Sequence, residues 1–381
     1  MPSLKGHTKL PRRGSGSLFV AAAACVALAA CADGTVTPGP DELVEVDLAR
    51  PWTTATVAEV GGSPAMVERG IDRARTNHRM RSLLVARNGR LVVEEYFGGA
   101  RANTLHDARS VTKSVVSALT GIALERGDIK TLDDPVADYL GSLVPDLDPD
   151  KGAITIRQLL TMTSGLEWDE TGGFGSYIEW IRSDDPLGYV LARPFAAPPG
   201  EEFNYNSAAV HLLGVVVQQA TGSELPTLAR STLFDPMGIS RSPWEPLGNG
   251  FWNGGAGLDL RPRDMLRFGQ LFLQRGSSGG RQLIPADWVG VSTAARFDWR
   301  FDLGALRGIS YGYLWWVVSG PGDPVYFAWG HAGQYVIVVP DLLLVVVATN
   351  DWAGVGDDGG ARRYERLTMD IVVQDIIPAF R

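Results

Sequence analysis

The chain has 381 residues, 45% of them hydrophobic and 20% charged, the balance of a globular protein too long for one compact core. Its formal charge of −8 speaks against nucleic-acid binding, which needs a basic surface. Cys25 and Cys31 are the two cysteines, so a disulfide framework is excluded. No His, Cys or Asp cluster has metal-ligand spacing, and neither a metal nor a cofactor is expected.

Residues 1–30 read as a signal peptide. Lys5, Lys9, Arg12 and Arg13 form a basic leader without an acid, and residues 18–30 are an apolar run too short to span a bilayer. The run ends in Leu28-Ala29-Ala30-Cys31, which resembles the lipobox of bacterial lipoproteins. That resemblance implies cleavage before Cys31, lipid on its sulfur, and a protein held at the cell envelope on the periplasmic side. Residues 31–50 read as the tether between membrane and domain. Residues 1–30 carry four basic residues and no acid, so without them the formal charge of −8 becomes −12.

Residues 64 to about 79 have helical periodicity. A hairpin follows, because Asn88-Gly89 separates Leu83-Leu84-Val85-Ala86 from Leu91-Val92-Val93. The next helix begins near Ser110 and carries an apolar stripe of Val115, Val116, Leu119, Ile122, Ala123 and Leu124, closed by Gly127. From 131 to about 296, helical patterns at 156–162, 208–220, 262–275 and 285–294 alternate with Gly/Pro-rich turns. Strand patterns return at 311–318, 325–329 and 335–349, and 362–377 reads as a last helix. These patterns predict an α+β fold in which both ends of the chain build one antiparallel sheet flanked by helices. Residues 51–130 and 297–381 form the sheet lobe, and 131–296 an inserted, mainly helical lobe. A cleft between the lobes is the expected site.

Ser110-Val111-Thr112-Lys113 carries the chemistry. Residues three apart on a helix share a face, and a lysine amine beside a serine hydroxyl can take its proton and make a nucleophile. Only five of the 35 basic residues are lysine. Arginine cannot release a proton in a protein and lysine can, so a lysine kept here fits a base. A serine at a helix N-terminus also sits where backbone N–H groups favour developing negative charge.

Two further motifs occur once each. Tyr205-Asn206-Ser207 precedes a helical run, and His331-Ala332-Gly333 lies between two strand runs. In order, the three match the set Ser-x-x-Lys, Tyr-x-Asn/Ser and Lys/His-x-Gly of the serine β-lactamase and penicillin-binding-protein superfamily. The stretch from Thr155 through Met162-Thr163-Ser164-Gly165-Leu166, and the blocks Gly255-Ala256-Gly257-Leu258, Arg263-Asp264-Met265 and Gly330-His331-Ala332-Gly333-Gln334, are also similar to class C-like serine hydrolases. The resemblance covers residues from about 65 to 350 and implies a β-lactamase/transpeptidase-like fold. Ser110 would be the acylated nucleophile, with Lys113 and Tyr205 sharing the acid/base work. Backbone N–H groups of Ser110 and Gln334 would form the oxyanion hole, and Ser207, His331 and Gly333 would line the substrate side.

The third motif carries His331 rather than lysine, and a histidine is mostly neutral at pH 7. That weakens the case for a carboxylate-bearing β-lactam. Ser207 at the end of the second motif resembles the esterase and amide-hydrolase branch, which includes the 6-aminohexanoate-dimer hydrolases. The expected function is therefore cleavage of a small ester or amide. A D-peptidase or β-lactamase on the same scaffold is the first rival, and a non-catalytic envelope binding protein the second. Gly276-Ser277-Ser278-Gly279-Gly280 matches Gly-x-Ser-x-Gly but lacks the strand before it and the helix after it, so it reads as a loop. His211 lies in an apolar helix and reads as a core residue. Residues 167–180, rich in aromatics, acids and glycine, read as a lid over the cleft or an ordinary long loop.

Overall fold

The computed structural model describes residues 42–170, 174–297, 299–319, 323–355 and 358–381. The signal segment, Cys31 and the tether up to residue 41 lie outside the described residues. The rest of the expected tether is docked onto the domain. Val44 N donates to Asn88 Oδ1 (2.8 Å), Val46 N to Gln274 Oε1 (3.1 Å) and Leu48 N to Ser278 Oγ (2.9 Å), and Leu48 is buried. Val44, Val46 and Leu48 thus pair backbone donors on the protein instead of water, so residues 42–50 belong to the domain and not to the expected tether.

Nine strands form one sheet among the described residues: β1 (Thr53–Thr54), β2 (Met80–Arg87), β3 (Arg90–Tyr96), β4 (Phe301–Leu303), β5 (Leu306–Tyr311), β6 (Trp316–Val318), β7 (Val325–Gly330), β8 (Gln334–Val339) and β9 (Leu344–Asn350). Their order is β1-β3-β2-β9-β8-β7-β6-β5-β4. Every pair is antiparallel except β1 with β3. The two ends of the chain meet where β2 pairs with β9.

The helices used below are α1 (Pro64–Thr76), α2 (Val111–Arg126), α3 (Ile156–Leu160), α4 (Gly175–Ile181), α5 (Ser207–Thr221), α6 (Pro262–Leu273), α7 (Ala286–Ser292) and α8 (Asp358–Ile371). Strand alternation sorts the sheet into two cores. Leu84, Ala86, Val336, Val338, Val345 and Val347 face a core shared with α2, α5 and α6. Leu83, Val85, Ile337 and Val346 face a second core with Ile71 of α1 and Met369 of α8. A strand stretch covered on both faces reads as an unbroken apolar run, as Leu83-Leu84-Val85-Ala86 of β2 does.

The structure departs from the sequence reading in three further places. The run 311–318 is not one strand. Gly312 to Trp315 leave the sheet, with Leu314 at φ +60°. Ser114 Oγ and Ser117 Oγ of α2 donate to the carbonyls of Leu314 and Tyr313 at 2.8 Å each, which pins this loop to the helix. Strands resume earlier than expected, at β4 and β5. And α6, inside the range expected for the helical lobe, packs on β2, β8 and β9. Elsewhere the local signals match. Thr155 caps α3 with a reciprocal box in which Thr155 Oγ1 accepts from Gln158 N (3.2 Å) and Gln158 Oε1 from Thr155 N (2.8 Å).

Candidate active site

Ser110 is the N-cap residue of α2 and Lys113 lies in its first turn. Arg109, just before the serine, has φ +51°, a costly conformation for a non-glycine residue that persists only where its surroundings hold it. Here Arg109 N donates to Asp107 Oδ1 (2.8 Å), Arg109 Nη1 to Asp107 Oδ2 (3.1 Å), and the guanidinium lies 4.5 Å from the Trp352 ring centroid. Asp107 is fixed in turn, because His106–Asp107 pairs with Asp259–Leu260 as a short ribbon.

Lys113 is 1% exposed, and three oxygens surround its amine. Nζ lies 2.8 Å from Ser110 Oγ, 2.8 Å from Ser207 Oγ and 2.7 Å from the Gly255 carbonyl. Asn206 caps α5, its Oδ1 accepting from Ala209 N at 2.9 Å. Ser207 therefore opens the helix facing Lys113, while Tyr205 stays off the helix. The Tyr205 ring centroid lies 4.9 Å from Lys113 Nζ and stacks on Trp316 at 5.7 Å. The three expected machinery residues, Ser110, Lys113 and Tyr205, thus come together from two parts of the chain 92 residues apart by numbering, from Lys113 to Tyr205.

Behind them lies a residue to which the sequence reading gave no role. Glu170 is buried. Its Oε2 accepts from Ser207 N (2.8 Å) and from Trp168 Nε1 (2.8 Å), and its Oε1 accepts from Ser207 Oγ (2.5 Å). Sequence gave only a run of acids around Trp168, which looks like a solvated loop; nothing in spacing marks one of them as buried.

Burial is the main influence on the site's ionisation. It lowers the Lys113 amine to about 8; Glu170 pulls it back up and Arg109 pushes it down. Burial raises the Tyr205 phenol well above its ordinary value, more than a hydrogen bond with Ser110 lowers it. Near pH 7 Tyr205 therefore keeps its proton, while Lys113 gives one up far more readily than an ordinary lysine. His331 is lowered to about 4 by burial, then by Arg109 and Arg362, so it is neutral at pH 7, as the sequence reading expected.

Ser110 opens on a cavity of about 980 Å³ whose wall includes Phe203, Tyr205, Trp299, Phe301, Trp316 and Trp329, with Arg362 and Arg366 farther along it. His331 lines this cavity and meets Phe174 edge to face at 5.3 Å. Gln334 begins β8 opposite Gly330. A side chain on Gly330 would strike the Ala108 carbonyl at 2.4 Å, so glycine there lets the end of β7 press against the turn that holds Ser110. Gly333 sits at φ +95° against Asn350. Ser207, expected on the substrate side, is fully buried and bonds Lys113 and Glu170.

In the segment 167–180, residues 171–173 lie outside the described residues. Phe174 and Tyr177 on either side of the start of α4 line the cavity, whereas Trp168 and Trp180 are buried. The Gly-x-Ser-x-Gly decoy is a small hairpin, Ser277–Ser278 against Arg281–Gln282. His211 is fully buried, its Nδ1 3.1 Å from the Trp252 carbonyl.

The architecture is that of the β-lactamases and transpeptidases. The octameric penicillin-binding protein homologue from Pyrococcus abyssi superposes with a TM-score of 0.60 at 17% identity, over 82% of this chain and 77% of that one. EstCE1, described as a hydrolase with promiscuous acyltransferase activity, superposes with a TM-score of 0.62 at 21% identity, over 81% of this chain and 96% of that one. At such identities the likeness is one of fold. The beta-lactamase family model matches residues 68–370, and the chain belongs to the beta-lactamase family of serine hydrolases. The 6-aminohexanoate-dimer hydrolase of Paenarthrobacter ureafaciens is 25% identical over 316 residues, 77% of this chain and 76% of that protein. Esterase EstB of Burkholderia gladioli is 31% identical over 176 residues, 41% of this chain and 44% of the esterase, so that match spans under half of either protein.

Proposed function

We propose that the protein is an exported hydrolase that cleaves a small ester or amide through an acyl-enzyme on Ser110. The observation that carries this is the buried Lys113 amine, lowered to about 8 and 2.8 Å from Ser110 Oγ. Neutral Lys113 takes the Ser110 proton as Oγ attacks the carbonyl carbon, and the carbonyl electron pair moves onto oxygen. Backbone N–H groups of Ser110 and Gln334 receive that oxyanion. The tetrahedral species then expels its alkoxide or amine, which takes a proton from the Tyr205 phenol, itself reprotonated from Lys113. Water, deprotonated by the same pair, releases the acid and restores Ser110. Positioned proton transfer contributes about 10²–10⁴ in rate.

The aromatic wall supports a substrate with an apolar acyl or aryl group, since such sites gain most of their affinity from buried apolar area. His331 supplies no fixed charge for a substrate carboxylate, which puts the D-peptidase or β-lactamase reading second. The hydrolase relatives named above support ester or amide cleavage. Export and lipid on Cys31 rest on residues 1–31.

The test is turnover of p-nitrophenyl esters, D-amino-acid amides and a chromogenic cephalosporin by the wild type and by Ser110→Ala. Ester or simple amide turnover abolished in Ser110→Ala is expected. Cephalosporin turnover, or a stable cephalosporin adduct on Ser110, with esters untouched would favour the rival.

A further inference from the structure

We infer that Glu170 sets the direction of the hydrogen-bond chain Glu170–Ser207–Lys113, so that the neutral amine of Lys113 presents its lone pair to Ser110. This rests on the proposal that Lys113 is the base for Ser110. Both ends of the chain have fixed polarity. The Gly255 carbonyl can only accept, so Lys113 donates to it. Ser207 N and Trp168 Nε1 can only donate, and both donate to Glu170 Oε2. Glu170 Oε1 accepts the hydrogen bond of the Ser207 hydroxyl at 2.5 Å. Ser207 Oγ has one proton and points it at Glu170, so toward Lys113 it can only accept. A neutral amine has two protons and one lone pair. One proton goes to Gly255 and the other to Ser207. The lone pair is left for the third neighbour, Ser110 Oγ, the atom to be deprotonated.

Without this polarity the amine has no reason to face its lone pair that way. A glutamine at position 170 shows what would change. The two N–H donors at Oε2 require the amide oxygen there, which turns the amide NH₂ toward Ser207 Oγ. Ser207 then accepts from the amide and can send its own proton to Lys113. The lone pair of neutral Lys113 is drawn to Ser207, and an N–H of the amine points at Ser110 instead. Glu170 is thus a positioning residue; it acts through Ser207 and Lys113.

The charge of Glu170 has a second, separable effect. The charged and titratable groups that face Lys113 are Arg109 from the turn before α2, Glu170 from the loop preceding α4, and Tyr205 from the turn before α5; Tyr177 and His331 line the same cavity. Of these, Glu170 pulls the Lys113 pKa up and Arg109 pushes it down. Removing the carboxylate charge therefore moves the acidic limb of the pH–rate curve to lower pH while the plateau falls. A carboxylate that only braced the loop would lower activity without moving the limb.

The test uses the mature full-length protein and a p-nitrophenyl ester, with kcat and kcat/KM measured against pH for wild type, Glu170→Gln, Ser207→Ala and the double variant. Expected for Glu170→Gln is a kcat reduced by roughly tenfold to a hundredfold, a fraction of the usual scale of general base catalysis, with an acidic limb at lower pH. Expected for Ser207→Ala is a loss in kcat with KM little changed, and the double variant should be about as slow as Ser207→Ala alone, because the two residues act in series. A wild-type plateau or an unmoved limb in Glu170→Gln overturns the inference. So do losses that multiply in the double variant, or a Ser207→Ala defect confined to KM. Should Glu170→Gln fail to fold, the kcat-against-KM split of Ser207→Ala decides alone. Failure of the base mechanism itself would appear elsewhere, as an active Lys113→Arg enzyme.

Discussion

The Gly255 carbonyl reaches the Lys113 amine at 2.7 Å because Gly255 has no side chain. A Cβ at this position would lie 2.7 Å from the Ser207 carbonyl and 3.0 Å from its Cβ. The loop segment that holds Gly255 can therefore run against the start of α5 and hand one carbonyl to the buried lysine. Gly255→Ala must push that carbonyl or α5 aside. Overpacking of this kind costs about 1–3 kcal/mol, and it moves at least one of the three oxygens that hold Lys113. Urea unfolding should show the stability loss, and ester turnover should fall by at least about tenfold. A Gly255→Ala protein with wild-type kcat would mean that the Gly255 carbonyl does not orient the amine.

The pH dependence follows from the sign of the Lys113 shift. The folded protein lowers this amine from its ordinary value to about 8, mainly by burial. In the proposed mechanism the working form is the neutral one, so kcat/KM should rise with pH through the region around 8 and level off above it. His331, lowered to about 4, stays neutral across that range, and His331→Gln should leave the limb where it is. The same shift has a consequence for stability. Between about 8 and the ordinary lysine value the unfolded chain binds more protons at this group, so its contribution to stability rises with pH there. A rate profile flat from pH 6 to 9 would exclude Lys113 as the base.

Tyr205→Phe removes only the phenol oxygen and keeps the ring stacked on Trp316. Burial holds that phenol in its protonated form, and the proposed mechanism gives it proton delivery to the leaving group. The variant should lose roughly a hundredfold in kcat with KM little altered, the lower end of general acid–base effects. The loss should be larger for amides than for p-nitrophenyl esters, because p-nitrophenolate leaves without needing a proton. Equal losses on both substrates would point to a role in binding.

Cys31→Ala should release the protein from the membrane fraction or stall its processing. Fractionation followed by N-terminal sequencing checks this. A wild-type protein found wholly soluble, starting at a residue other than Cys31, would contradict lipid anchoring.

Most of the scaffold was legible in local signals. Asn88-Gly89 marks a hairpin whose turn residues have φ +45° and +74°, and the periodicity after Ser110 marks α2. The apolar runs of β2, β8 and β9 mark strands buried on both faces. What sequence hid was set by contacts distant in the chain. The edge strand β4 and its neighbour β5 carry Asp302, Arg307 and Gly308, which blur a period of two, and their partners rather than their composition make them strands. The break at 312–315 depends on Ser114 and Ser117 of α2, almost 200 residues earlier. At the site, motif order points to Ser110, Lys113 and Tyr205, which the fold brings together, because each has a fixed place on a helix start or turn. Glu170 has no such mark. Its burial beneath Ser207 appears only once the loop before α4 is folded against α5.

The central claim is that Lys113 removes the proton from Ser110. Its most direct measurement is the rate of labelling by a fluorophosphonate, with the modified peptide identified by mass spectrometry, in wild type, Ser110→Ala, Lys113→Ala and Lys113→Arg. Arginine keeps the charge but cannot release its proton at working pH. Expected are one adduct on Ser110 in the wild type, none in Ser110→Ala, and labelling of Lys113→Arg as slow as that of Lys113→Ala. Fast labelling of Lys113→Arg, or an adduct on Ser278 that persists in Ser110→Ala, would contradict it.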